Sequence, residues 1–128
     1  MKTEFAHGGD LTRRIIGLAM HVHRHLGPGL LESVYQRCLC HELFRAGIPF
    51  AQQVRLPIQY DDIEIESGYL ADIVVNDEGI LELKAVEHLT PLHDAQLLTY
   101  MWVGSCRIGL LINFNTVSLT DGIRRRVL

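Results

Sequence analysis

Asp72, Glu82 and Lys84 are the residues of this 128-residue chain whose types and spacing best suit chemistry. Strand side chains alternate between faces, so Glu82 and Lys84 share one face with Ile80 and Val86, and Asp72 shares its face with Leu70 and Val74. Between the two runs stands Asn76-Asp77-Glu78-Gly79, a strong turn signal. A hairpin through that turn would let Asp72, Glu82 and Lys84 converge on one sheet surface. Glu32 could reach the same place from a helix. Successive helical residues turn by about 100°, which sets Glu32 between Tyr35 and Leu39 on the edge of an inward face. A carboxylate there has to be paired, hydrogen-bonded or bound to a metal.

Three carboxylates beside one lysine suit a hard divalent ion that prefers oxygen ligands, Mg²⁺ or Mn²⁺. Held by Asp72 and Glu82, with Glu32 completing the shell or orienting a water, such an ion would acidify a bound water and offset charge on a scissile phosphate. Lys84 would position the attacking water or stabilise the transition state by its charge. Gln96, one turn into a later helix, could bind the nucleophile or a phosphate oxygen. Plainer readings compete at each position. Asp followed by Glu-x-Lys is a common pattern and weak by itself. Glu82–Lys84 could be a surface ion pair, Glu32 could cap a buried tyrosine hydroxyl, and Gln96 could be an ordinary polar helix residue.

The elements that must position these groups follow from periodicity. Residues 1–10 read as a loose tail, with Asp10 placed to cap a helix on which Leu11, Ile15, Leu18, Ala19, Val22 and Leu26 recur at helical spacing. Gly27-Pro28-Gly29 stops it. A second helix is expected from Leu30 to Ala46, with Gly47 as its stop. Val54, Leu56, Ile58 and Tyr60 alternate as in one half-buried strand, Asp61-Asp62 looks like a turn, and Ile63 and Ile65 continue the alternation. Tyr69 to Val75 and Ile80 to Val86 are the hairpin partners. Thr90-Pro91 reads as an N-cap followed by proline at the first helical position, opening a helix to Val103. Ile108-Gly109-Leu110-Leu111-Ile112 is apolar on both faces, as in a central strand. Leu119 to Leu128 fits either a short strand or a short helix. The order predicts an α/β domain over residues 11–128, an antiparallel meander followed by a crossover.

An apolar fraction of 48% argues against disorder, and no apolar run reaches the roughly 18 residues of a membrane helix. The N-terminus lacks the apolar stretch of a signal peptide, and the odd count of three cysteines (Cys38, Cys40 and Cys106) argues for a reducing compartment, so a cytoplasmic location is expected. A net charge of −3 and a pI near 6.1 count against a dedicated nucleic-acid binder. Clustered metal-site carboxylates would also lower the pI, and a bound cation reverses their local field. His21, His23 and His25 invite a zinc reading with Cys38, Cys40 and His41, but only His21 and His25 share a helix face and no zinc spacing joins the set. Tyr100 and Trp102 read as packing rather than base-stacking residues.

Several segments together carry a resemblance. Gly29-Leu30-Leu31-Glu32-Ser33-Val34-Tyr35 matches the Gly-x-x-Glu-x-x-Tyr signature of the GxxExxY group. Gly68 to Asp72, Glu82 to Glu87, Ala95 to Tyr100, Gly109 to Asn115, and Asp121-Gly122-Ile123 with its arginines resemble that group's later blocks, in order. The chain thus resembles a branch of the PD-(D/E)XK nuclease superfamily over residues 11–128. The resemblance implies a restriction-endonuclease-like αβββαβ core with an extra N-terminal helix and a mixed sheet flanked by helices. It implies Glu32, Asp72, Glu82 and Lys84 as the active-site set, Gln96 as a helix-borne accessory, and Tyr35 and Tyr100 in support. The group usually carries arginine where this chain has Leu70, which bears on substrate grip.

Two function classes follow. The first is a Mg²⁺- or Mn²⁺-dependent nuclease acting on nucleic acid, with DNA the expected substrate. The second is a nuclease-fold module that binds nucleic acid or protein with little catalysis, motivated by the acidic pI, the small size and Leu70. In the second, a homodimer or a partner protein could supply further recognition, and neither class needs a membrane.

Overall fold

The two N-terminal apolar stripes fold as helices packed on each other, and the glycine-proline-glycine stop turns the chain between them. The computed structural model describes residues 9–128. Helix α1 spans Asp10–Leu26 and α2 spans Glu32–Arg45. Gly9, not Asp10, is the N-cap of α1; Asp10 is the first helical residue and pairs with Arg13 at 2.9 Å, so the expected capping role is corrected. The rest of the expected tail, residues 1–8, lies outside the described residues. α2 starts at Glu32, two residues later than its apolar pattern suggests, because Leu31 is still extended.

Strands follow as β1 (Phe50–Arg55), β2 (Ile58–Tyr60), β3 (Ile63–Ile65), β4 (Leu70–Val75) and β5 (Gly79–Lys84). Helix α3 (Pro91–Val103) then leads to β6 (Ile108–Asn113), a 3-10 turn at Leu119–Gly122 and β7 (Ile123–Val127). The tail is therefore a helical turn and then a strand. The main sheet runs β1-β4-β5-β6-β7, antiparallel except for the β5–β6 pair that α3 connects. All six residues of β6 are buried, as its two apolar faces require.

One expectation fails in an instructive way. Val54 to Tyr60 is not a single strand. Pro57 has no amide to donate to a ladder, so β1 ends at Arg55 and the chain leaves the sheet. The alternation resumes in a separate hairpin, β2 with β3, closed by Asp61-Asp62. Leu56 still donates its amide to Tyr69 O at 3.0 Å, which closes the base of this excursion and returns the chain to β4.

The sheet has a core on each face. Against α1 and α2 lie Ile73, Val75, Leu81, Leu83, Leu110 and Ile112, with Tyr35 and Phe114 among them. Against α3 lie Ala71, Ile80 and Leu111, covered by Leu97, Tyr100 and Met101. Helix α3 is anchored at its start by Thr90, whose hydroxyl accepts from His93 N while His93 Nδ1 accepts from Thr90 N. It approaches β6 closely at Gly109, where an added Cβ would collide with Met101 Sδ and meet Leu97 Cδ1 at 3.0 Å. Both neighbours are fully buried, so making room means shifting packed core side chains. Gly109→Ala should therefore lose about 1–3 kcal/mol of stability through overpacking. Equilibrium urea unfolding would measure it; an unchanged midpoint would mean that α3 shifts freely on the sheet.

Candidate active site

Strand β4 enters the sheet beside β5, yet their ladder covers only Val75↔Gly79, Val74↔Ile80 and Ile73↔Leu81. The next residues in this register are Asp72 and Glu82, and there side chains replace the ladder. The Asp72 amide donates to Glu82 Oε2 at 2.8 Å, and the Leu83 amide donates to Asp72 Oδ2 at 2.8 Å. Each acid thus accepts from the opposite strand. The pleat is interrupted at the same point: Ile73 packs in the α1–α2 core, while Ala71, two residues away, packs against α3. On the other flank Gln53, opposite Asp72, has a left-handed φ of 52°, and its side chain helps to hold down the pKa of the Asp72 carboxyl.

The remaining expected residues come in from three elements. Lys84 ends β5, and its Nζ donates to Gln96 Oε1 at 3.4 Å. Gln96, on α3, donates in turn to Tyr100 Oη at 3.1 Å. Glu32 opens α2, near enough to the acids to share their field. Tyr35 does not join them. It is fully buried, stacks on Phe114 at 4.6 Å, donates its hydroxyl to Gly27 O at 2.6 Å and accepts from Leu30 N at 3.1 Å. Its hydroxyl latches the turn that delivers Glu32, rather than pairing with that carboxylate. Asn113 acts similarly on the far side, accepting from Val86 N at 3.0 Å and donating to Val86 O at 2.9 Å, so β5 ends at Lys84 instead of running to Val86.

The electrostatics follow from burial. Glu82 is 4% exposed, and burial first, then the Asp72 charge, push its carboxyl up to about 8. The Asp72 amide and Lys84 oppose that rise, and Glu32 adds to it. Asp72 is raised chiefly by burial, against the Leu83 amide, Lys84 and Gln53. Glu32 is raised by burial and then by Asp72, with Lys84 opposing. Burial and then Glu82 also push up the Tyr100 phenol, and burial and then Asp72 lift the Cys40 thiol to about 11. Without a cation, then, the cluster favours holding a proton.

An oxygen-only donor set in which Asp72 raises the pKa of both other acids fits a hard cation. Among the described residues no group of three or more His, Cys, Asp or Glu side chains is arranged as a ready metal cage. The Asp72–Glu82 pair would instead supply two carboxylates and leave the other positions to water and phosphate, the usual habit of Mg²⁺. Among the described residues the histidines form no rival centre. The His21 and His25 rings lie 4.6 Å apart at a tilt of 53°, while His23 is buried with Nε2 at 2.8 Å from Thr116 O. All three cysteines are free thiols.

Sequence reasoning missed three contributors. Gln36, whose Nε2 donates to Asp72 O at 3.3 Å, could have been found, since it lies one turn after Glu32 on the same face. Gln53 could not, because nothing local marks its left-handed backbone. Asn113 was visible only as the polar end of an apolar strand.

A helix-flanked mixed sheet with Asp, Glu-x-Lys and a helix-borne glutamine is the arrangement of a restriction-endonuclease-like fold. Residues 9–126 match the sequence profile of the PD-(D/E)XK nuclease superfamily, and the chain belongs to it. No curated protein and no solved structure matches the chain. No helix among the described residues is long and apolar enough to cross a membrane.

Proposed function

We propose that this chain is a Mg²⁺- or Mn²⁺-dependent nuclease that hydrolyses phosphodiester bonds in DNA, and that it falls in the GxxExxY group. The observation that carries the reading is the exchange of backbone amides between Asp72 and Glu82 beside Lys84. It fixes both carboxylates in direction before any ligand arrives, and such preorganisation is what catalysis rewards. A divalent cation bound there supplies a more acidic water and offsets phosphate charge.

The chain's own groups do the rest. Asp72 and Glu82 each keep a second oxygen beyond the one held by an amide. Lys84 places its ammonium beside them, where it offsets charge developing on the phosphate oxygens. Gln96 steadies Lys84 and is itself held by Tyr100. Glu32 faces the same cluster from α2 and can orient a water. Water attacks phosphorus, one P–O ester bond breaks, and the products are a phosphomonoester and an alcohol. Cleavage of single-stranded and duplex DNA in Mg²⁺ or Mn²⁺, with chelator and Asp72→Asn controls, tests the proposal. Activity that survives in Asp72→Asn would remove the assignment. Binding by the wild type with no turnover in either metal would turn the reading to the non-catalytic module.

A further inference from the structure

Beside Lys84 the surface falls into a hollow of about 500 Å³, bounded by Tyr69, Leu92, His93, Gln96 and Tyr100 as well as the lysine itself. That volume lies in the range of small-ligand sites. We propose that the hollow is a nucleobase pocket: it receives one unpaired base of the strand being cut, so the substrate is single-stranded or locally unpaired at the scissile phosphate. The inference rests on the nuclease reading above.

Its walls have the chemistry of a base. Tyr69 is 49% exposed and offers an aromatic surface, and its ring is braced by Tyr100 at 5.8 Å. Its backbone is fixed too, because its carbonyl accepts from Leu56 N at 3.0 Å. Leu92, 77% exposed, provides an apolar wall on α3. The polar edge comes from His93. Its Nδ1 accepts from Thr90 N at 3.0 Å, which leaves Nε2 to carry the ring proton and donate to an acceptor on a base. Gln96 is already committed to Lys84 and Tyr100, so it shapes the floor. Among the described residues no aspartate or glutamate lines the hollow, and Lys84 is its one charged lining residue. A flat ring with polar edges, attached to an anion, suits such a place better than a cationic or purely aliphatic group.

The position sets the substrate class. Lys84 belongs both to the hollow and to the acid cluster, so a base in the hollow sits next to the phosphate being attacked. A base paired in a duplex cannot enter; it must be unpaired or flipped, at a cost that is least for single strands. Stacking on tyrosine tolerates any base, so the pocket predicts a structural preference and no sequence preference.

The test uses the whole chain carrying Asp72→Asn, so that no cutting disturbs binding. A single-stranded oligonucleotide containing 2-aminopurine is titrated, and fluorescence quenching reports stacking. Quenching is expected with the single strand, kept by Tyr69→Phe, and weakened in affinity by roughly 5- to 150-fold in Tyr69→Ala, the range of one lost base–aromatic stack. Leu92→Glu, at an exposed position that folding tolerates, should also weaken it by placing a negative charge at the mouth. Undiminished binding by both Tyr69→Ala and Leu92→Glu overturns the pocket. Equal quenching by free 2-aminopurine nucleotide shows a nucleotide site and overturns the strand claim. If the chain without Asp72→Asn cuts duplex as fast as single strand, and Tyr69→Ala does not slow it, the pocket fails while the nuclease reading stands. Tyr69-dependent quenching with no cleavage in Mg²⁺ or Mn²⁺ supports the pocket and removes the nuclease reading.

Discussion

Lys84→Ala should slow the proposed nuclease reaction by about 10²–10³-fold, the cost of removing one preorganised charge-stabilising group, while the unfolding midpoint stays close to that of the parent chain. The two halves of this expectation come from the same geometry. Lys84 stands beside both acids and lowers the pKa of each. Among the described residues its one side-chain hydrogen bond is the 3.4 Å contact with Gln96, at the end of β5, where its loss leaves no backbone group unpaired. Asp72 is different. Its carboxylate accepts from Leu83 N, so Asp72→Ala would remove a structural bond along with the chemistry. Asp72→Asn keeps an accepting oxygen and is the better comparison for that residue. Single-turnover rates, with denaturant unfolding of each variant, decide the matter. A Lys84→Ala chain that cuts within a few-fold of the parent would leave Lys84 as a surface ion-pair partner.

The metal-free chain should lose stability as pH rises from about 4.5 to about 8. Glu82 titrates near 4.5 when unfolded and near 8 when folded. Between those values the folded chain holds a proton that the unfolded chain has released, so the folded state is favoured at the acid end and loses that advantage as pH climbs. Asp72 and Glu32 are raised as well and act in the same direction. Because Glu82 is almost wholly buried, the effect can reach several kcal/mol, since a tenfold change in proton affinity corresponds to roughly 1.4 kcal/mol. Thermal unfolding in chelator should show a falling midpoint across this window. Glu82→Gln should flatten the slope, since an amide carries no charge to bury. Millimolar Mn²⁺ should restore the midpoint near pH 8 by binding the folded state alone. A midpoint that rises through the window, or the same slope in Glu82→Gln, would contradict this titration.

The parts of the fold that were legible were those in which local chemistry and tertiary need agree. Thr90-Pro91 opens α3 as an N-cap and first-turn proline should, and the two-faced apolar run of β6 is buried where no polar face is required. The hairpin through Asn76–Gly79 was legible from its turn residues and does bring Asp72 to Glu82. The failures share a cause. Alternation specifies a strand's face but not its partner, so β1 and β2 looked continuous although Pro57 divides them between two sheets. Likewise the pattern runs β5 on to Val86, whereas the Asn113 side chain takes both of that residue's backbone groups. At the site, residue identities were readable and their spacing suggested convergence. The interrupted ladder was not, because it depends on the left-handed Gln53 backbone and on amides that side chains claim only after the strands have met.

The amides of Asp72 and Leu83 have a use of their own. Each is bonded to a carboxylate instead of a carbonyl, so each lies in the field of the opposite acid. Their ¹H–¹⁵N resonances are therefore built-in spectators of the centre, one for Glu82 and one for Asp72. Titrating the metal-free chain should move the two signals along separate curves, assigning each proton to its acid without labelling the side chains. Adding a divalent cation at constant pH should shift both at once.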